Sequence, residues 1–80
     1  MEKITLRGLR ELAGMSQAEL AKRLGVAQSE VSRLERRKDH YISALRRYIA
    51  ALGGELAVVI TIEETGYRVD EEVMDLHRSK

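Results

Sequence analysis

The chain has 80 residues, with 14 Lys and Arg against 13 Asp and Glu and neither cysteine nor proline. A chain of this length makes one small domain that buries only about 60% of its unfolded surface, so a partner surface is expected. The lack of cysteine excludes a disulfide framework and a thiolate metal site and suits a reducing cytoplasm; the most apolar run, residues 56–62, falls far short of the roughly 20 residues that span a bilayer, and Met1-Glu2-Lys3-Ile4 offers no apolar signal core.

In chain order, Thr5 predicts the start of a first helix, with Leu6, Leu9, Leu12 and Ala13 on its inward side, Ile4 and Leu9 as a hydrophobic staple and Gly14 as its stop. Gly8 within it costs up to about 1 kcal/mol against alanine. Ser16 and Glu19 form a capping box for a helix over 17–24, with Met15 and Leu20 as a second staple. Gly25 takes the positive φ that only glycine adopts without strain, and Ala21 must be small because the next helix passes over it. Leu20, Leu24, Val26, Val31 and Leu34 then fill inward positions on either side of the turn, and a third helix runs from Gln28 to about Arg37. This spacing predicts two short helices crossing steeply around a three-residue turn, with polar residues suited to reading DNA on the outward face; the competing reading is a plain helical hairpin.

After a polar loop, Ser43 predicts the cap of a fourth helix with Leu45, Tyr48, Ile49 and Leu52 on one face, ended by Gly53-Gly54. From Glu55 the period becomes two: Leu56, Val58, Ile60 and Ile62 alternate with Ala57, Val59 and Thr61, predicting a strand over 55–62. Glu64-Thr65-Gly66 reads as a turn, Tyr67 to Val69 as a second strand, and Asp70 as the cap of a short last helix with Val73, Met74 and Leu76 as its apolar face. Charge changes where the pattern does: residues 1–54 carry eleven Lys and Arg against six Asp and Glu, residues 55–80 three against seven. The expectation is a mostly α chain, with a helix-turn-helix domain over 1–54 and, over 55–80, a strand or hairpin and short helix for dimerisation or partner binding.

The segments Leu9-Arg10-Glu11-Leu12-Ala13-Gly14-Met15-Ser16-Gln17-Ala18-Glu19-Leu20-Ala21 and Gly25-Val26-Ala27-Gln28-Ser29-Glu30-Val31-Ser32-Arg33-Leu34-Glu35 resemble the lambda-repressor/Cro-like helix-turn-helix regulators of the Xre family, over about two thirds of the chain. More loosely, Ser43-Ala44-Leu45-Arg46-Arg47-Tyr48, and Ala51 to Leu56 running into a strand, are similar to antitoxins of the HigA and HipB type. The resemblance implies a four-helix lambda-repressor-like domain in a cytoplasmic repressor of its own operon that also binds a toxin encoded beside it and dimerises partly through strands after the fourth helix. One departure stands out: many relatives have Ser or Thr where Ala27 stands, and a missing cap costs around 1 kcal/mol.

By position in that family, the third helix lies in the major groove of double-stranded DNA and its early residues meet base edges. Gln28 would bond adenine, Arg33 would bond guanine, and Ser29 and Ser32 are short donors between them. Glu30 would repel phosphate, accept from cytosine or pair with Arg33. Gln17, among free helix-start donors, would bind phosphate, joined by Arg36, Arg37, Lys38, Ser43 and Arg46. A palindromic operator read by a homodimer is expected, with Leu56, Val58, Ile60 and Ile62 supplying the dimer surface or, alternatively, an intrachain hairpin. No cofactor is expected. The rivals are a free-standing regulator without a toxin, a protein-binding adaptor of the same shape, and an enzyme; the last finds no support, since His40 and His77 stand far apart and no triad, ligand set or phosphate loop can be assembled.

Overall fold

Two of the four helices among the described residues begin on a side-chain cap, at Thr5 and Ser16 as predicted. In this computed structural model, which describes residues 3–69, the Thr5 hydroxyl accepts from the Gly8 amide at 2.9 Å to open α1 (Leu6–Leu12). Ser16 Oγ accepts from the Glu19 amide at 3.0 Å while Glu19 Oε1 accepts from the Ser16 amide at 2.9 Å, completing the capping box of α2 (Gln17–Leu24). Gly25 closes α2 at φ 72°, in the left-handed region, and its neighbour Val26 donates back to the Ala21 carbonyl at 3.0 Å. Helices α3 (Gln28–Arg36) and α4 (Ile42–Ala51) start without side-chain caps, on Ala27 and Tyr41. The expected Ser43 cap of α4 is therefore corrected: the helix begins one residue before the serine, which lies in its first turn.

The core is small and sits among the helices. Leu20, Ala21, Val31 and Tyr48 are buried, and Leu6, Met15, Leu24, Val26, Leu34, Ile49, Ala51 and Leu52 pack around them. Leu20 and Val31 have no exposed surface, and burying each contributes about 1.5–3 kcal/mol. In α1 the expected inward face is only half right. Leu6 packs on the core, but Leu12 is 78% exposed and Ile4 51%, while Arg10 is buried. Periodicity places apolar residues against a core by default; here α1 turns Arg10 inward to meet a carboxylate from α3, which swings Leu12 to solvent. A β-carbon at Gly8 would stand 3.0 Å from Ile4 Cγ1 and 3.2 Å from the capping Thr5 Oγ1, so a larger residue fits only if those side chains give way by a few tenths of an ångström.

Beyond α4, Gly53 takes φ 87° and the chain enters an antiparallel hairpin of β1 (Val58–Ile62) and β2 (Thr65–Val69). The strand begins three residues later than expected, and the turn is Glu63-Glu64, with Thr65 and Gly66 inside β2. Both turn residues lie in the left-handed region, at φ 49° and 69°, as the two-residue turns that match strand twist require. Register pairs Val58 with Val69, Ile60 with Tyr67 and Ile62 with Thr65, putting these six on one face; Ile60, Ile62 and Tyr67 are exposed there. Across the strands' start, Arg68 bonds Glu55 at 3.1 Å on open surface. The expected last helix from Asp70 lies outside the described residues.

Candidate nucleic-acid interface

The sequence of α3 divides it into two sides. Val31, Leu34 and Glu35 follow one another at i, i+3 and i+4 and face the interior, which leaves the other side outward: Gln28, Ser29 and Arg33 are exposed and Ser32 half-buried. Four expected base-reading residues thus share the outward side of one helix. Arg33 Nη1 bonds Glu30 Oε1 at 2.8 Å, the intrahelical pair weighed for both residues; with side chains 58% and 47% exposed it is a weak tether that a stronger acceptor can break.

Gln28 is tied into the protein. Its Nε2 donates to Gln17 Oε1 at 3.4 Å, and Gln17 Nε2 donates to Glu35 Oε1 at 3.0 Å. Glu35 in turn receives Arg10 Nε on Oε2 at 2.7 Å and Arg10 Nη2 on Oε1 at 3.1 Å, a bidentate pair whose side chains are only 9% and 4% exposed. The Tyr48 hydroxyl donates to Glu35 Oε2 at 2.7 Å and lies 2.9 Å from the Leu6 carbonyl, while Arg10 Nη1 donates to the Met15 carbonyl at 2.9 Å. One carboxylate therefore links α1, α2, α3 and α4. Burial acts to raise its pKa, but hydrogen bonds from Arg10, Tyr48 and Gln17 and the guanidinium charge outweigh that, so Glu35 is held below the ordinary carboxylate range. Its bonds in return raise Arg10, and burial followed by the bond to Glu35 raises Tyr48.

Gln17, expected to bind phosphate, spends both ends of its side chain inside this network, so the donors it can offer an anion are those of the helix start. Arg36, Arg37 and Lys38 are exposed along the exit of α3, Ser43 is exposed in the first turn of α4, and Arg46 is half-buried one turn on. Of the expected dimerisation residues, Leu56 and Val58 are half-buried and Ile60 and Ile62 exposed. The sequence reading missed the partnership of Arg10, Glu35 and Tyr48. A signal was present: Glu35 occupies an inward position of α3, four residues after Val31, and an acid there demands a buried cation.

The helix-turn-helix family profile matches residues 6–57. Among solved structures, a HigA antitoxin described as bending DNA through a unique dimerisation is 32% identical, with a TM-score of 0.76 over 86% of this chain and 95% of that one. A DNA-bound antitoxin HigA3 is also 32% identical, with a TM-score of 0.77 over 88% of this chain and 94% of that one. No curated protein matches the chain. Four helices, the capping box and left-handed glycine between α2 and α3, and a match that spans them all make this chain a member of the helix-turn-helix family, with the fold that HigA antitoxins share.

Proposed function

We propose that the protein is a sequence-specific DNA-binding repressor, the antitoxin of a toxin-antitoxin pair, which regulates its own operon from the cytoplasm. The observation that carries this reading is the outward side of α3, where Gln28, Ser29, Ser32 and Arg33 stand together on a helix whose other side is anchored in the core. Gln28 reads adenine and Arg33 guanine by paired hydrogen bonds; Arg36, Arg37, Lys38, Ser43, Arg46 and the amide donors at Gln17 hold phosphates. Residues 1–54 bind DNA and residues 55–80 assemble the protein. Val58, Ile60 and Ile62 of the hairpin, with Leu56 before it, join two copies into a homodimer that spans half-sites about 34 Å apart in a palindromic operator. The excess of seven acids over three bases in residues 55–80 supports a basic toxin as the further partner.

The test is the salt dependence of binding to operator and random duplexes. Neutralising several phosphates gives log K a slope of about −0.9 per contact, so Lys38→Ala should weaken binding to every duplex and flatten the slope by roughly that amount, whereas Gln28→Ala should cost about 1–3 kcal/mol at one base position only. Salt-insensitive binding would instead mark a protein-binding adaptor.

A further inference from the structure

Where α3 exits into the loop before α4, a groove of about 720 Å³ opens on the surface. Leu34, Ala44 and Leu45, with the ring of Tyr41, supply its apolar lining, and Arg37, Lys38, His40 and a single acid, Asp39, form its polar rim. Its volume lies within the roughly 300–1,000 Å³ of ordinary ligand sites. His40 Nδ1 is buried and has no hydrogen-bond partner among the described residues. Buried polar atoms are nearly always bonded, so this nitrogen marks a place where the groove's chemistry is incomplete.

The chain continues for eleven residues beyond Val69, and its next seven, Asp70-Glu71-Glu72-Val73-Met74-Asp75-Leu76, combine four acids with three apolar side chains. That composition is the complement of the groove. We propose that this segment docks in it on the same chain, with Val73, Met74 and Leu76 on the apolar lining and the acids against Arg37 and Lys38. The seven residues from Asp70 to Leu76 reach about 23–25 Å when extended, against the roughly 15 Å that the ten residues of α4 span between the groove at its start and the end from which the hairpin leaves, and Val69 lies at the base of that hairpin, paired with Val58. The consequence rests on the function proposed above: Arg37 and Lys38 are phosphate contacts, and a docked acidic segment covers both. DNA and the segment then compete for the same cations. A segment that must leave before either duplex binds lowers both affinities by the same factor, and random duplexes, which offer only phosphates and start out weaker, are the ones that drop out of binding at a given protein concentration. The tail thus acts as a built-in shield against non-specific binding.

Two measurements test this in the full chain. With no native cysteine, a nitroxide on Asp39→Cys reports from the rim of the groove. It should broaden the amide signals of residues 73–76, with broadening unchanged on dilution and abolished by Met74→Ser with Leu76→Ser. That double substitution leaves every charge in place, yet should raise affinity for random duplex about tenfold at low salt and steepen the salt slope by about 1.8, the value for two phosphate contacts. Absence of broadening, or broadening that appears only between differently labelled copies, would overturn docking on the same chain. An affinity that rises on neutralising the four acids but not on removing the two apolar groups would reduce the segment to long-range repulsion and overturn the proposal. A protein that bound no DNA at all would still show the broadening, so the docking and the proposed function fail separately.

Discussion

Glu35→Ala is the most informative single change. It leaves the Arg10 guanidinium, with its side chain 9% exposed, without the carboxylate that holds two of its nitrogens, and it also strips Gln17 and Tyr48 of an acceptor. Removing one partner of a buried pair costs about 3–5 kcal/mol, most of it the penalty of the abandoned charge. A domain of 80 residues is stable by about 4–12 kcal/mol in total, so the variant loses between a quarter and all of its stability. At about 4–8 °C per kcal/mol for a domain this small, the midpoint should fall by roughly 12–40 °C. The partner variant is Arg10→Met with Glu35→Leu, which removes both charges and keeps the volume; it should stand within about 1–2 kcal/mol of the parent or above it. With the single variants Arg10→Met and Glu35→Leu added, urea and thermal unfolding followed by circular dichroism, at one fixed concentration so that dimerisation contributes equally, complete the double-mutant cycle. A cost below about 1 kcal/mol for Glu35→Ala would show the pair to be as well hydrated as a surface bridge and would refute the reasoning. So would a double variant whose loss equalled the sum of the two single ones.

Because Glu35 is held below its ordinary pKa, its contribution is complete above the unfolded value of about 4.3 and disappears as pH falls through the lower folded value, so the parent's midpoint should drop in acid while the Arg10→Met, Glu35→Leu variant shows a shallower acid limb in melts taken across that range. Ala27 has the extended φ and ψ of an N-cap, −72° and 152°, but no hydroxyl, so Ala27→Ser should stabilise by about 1 kcal/mol; an unchanged midpoint would mean that the α3 start is already satisfied. Glu63 and Glu64 hold positive φ at a cost of about 1 kcal/mol each, and Glu63→Asn with Glu64→Gly should slow hydrogen exchange of the β1 and β2 amides several-fold; unaltered exchange would count against strain at the turn.

The motif from Ser16 to Leu34 was legible because its signals are local: a capping box spans three residues, a left-handed glycine declares itself, and inward positions recur with the helix period. What escaped is what depends on distance or on an uncommon backbone. Arg10 and Glu35 stand 25 positions apart, and a pattern that sorts residues into apolar and polar puts both on the surface. The same pattern puts Leu12 inward, a place that Arg10 takes in the structure. The turn expected over Glu64-Thr65-Gly66 starts one residue and ends two residues past the observed Glu63-Glu64, since glycine attracts a turn assignment and glutamate repels one. Gly66 instead sits in β2 opposite Thr61, and the two glutamates take the left-handed conformation that the tight connection imposes. The start of α4 differs for the reverse reason: a serine suited to capping lies two residues past Tyr41, which takes the N-cap position without a side-chain capping hydrogen bond.

The bond that ties Gln28 back through Gln17 to Glu35 divides the outward side of α3 into two kinds of position. Among the described residues Ser29 and Arg33 make no bond to the interior, so in the function proposed above substitution there changes base preference without disturbing the buried network. Position 28 is different, because its side chain meets, over a long 3.4 Å contact, an amide whose other end bonds the buried ion pair. Divergence in target preference should therefore begin at the free positions, with the anchored one changing last and only together with residue 17.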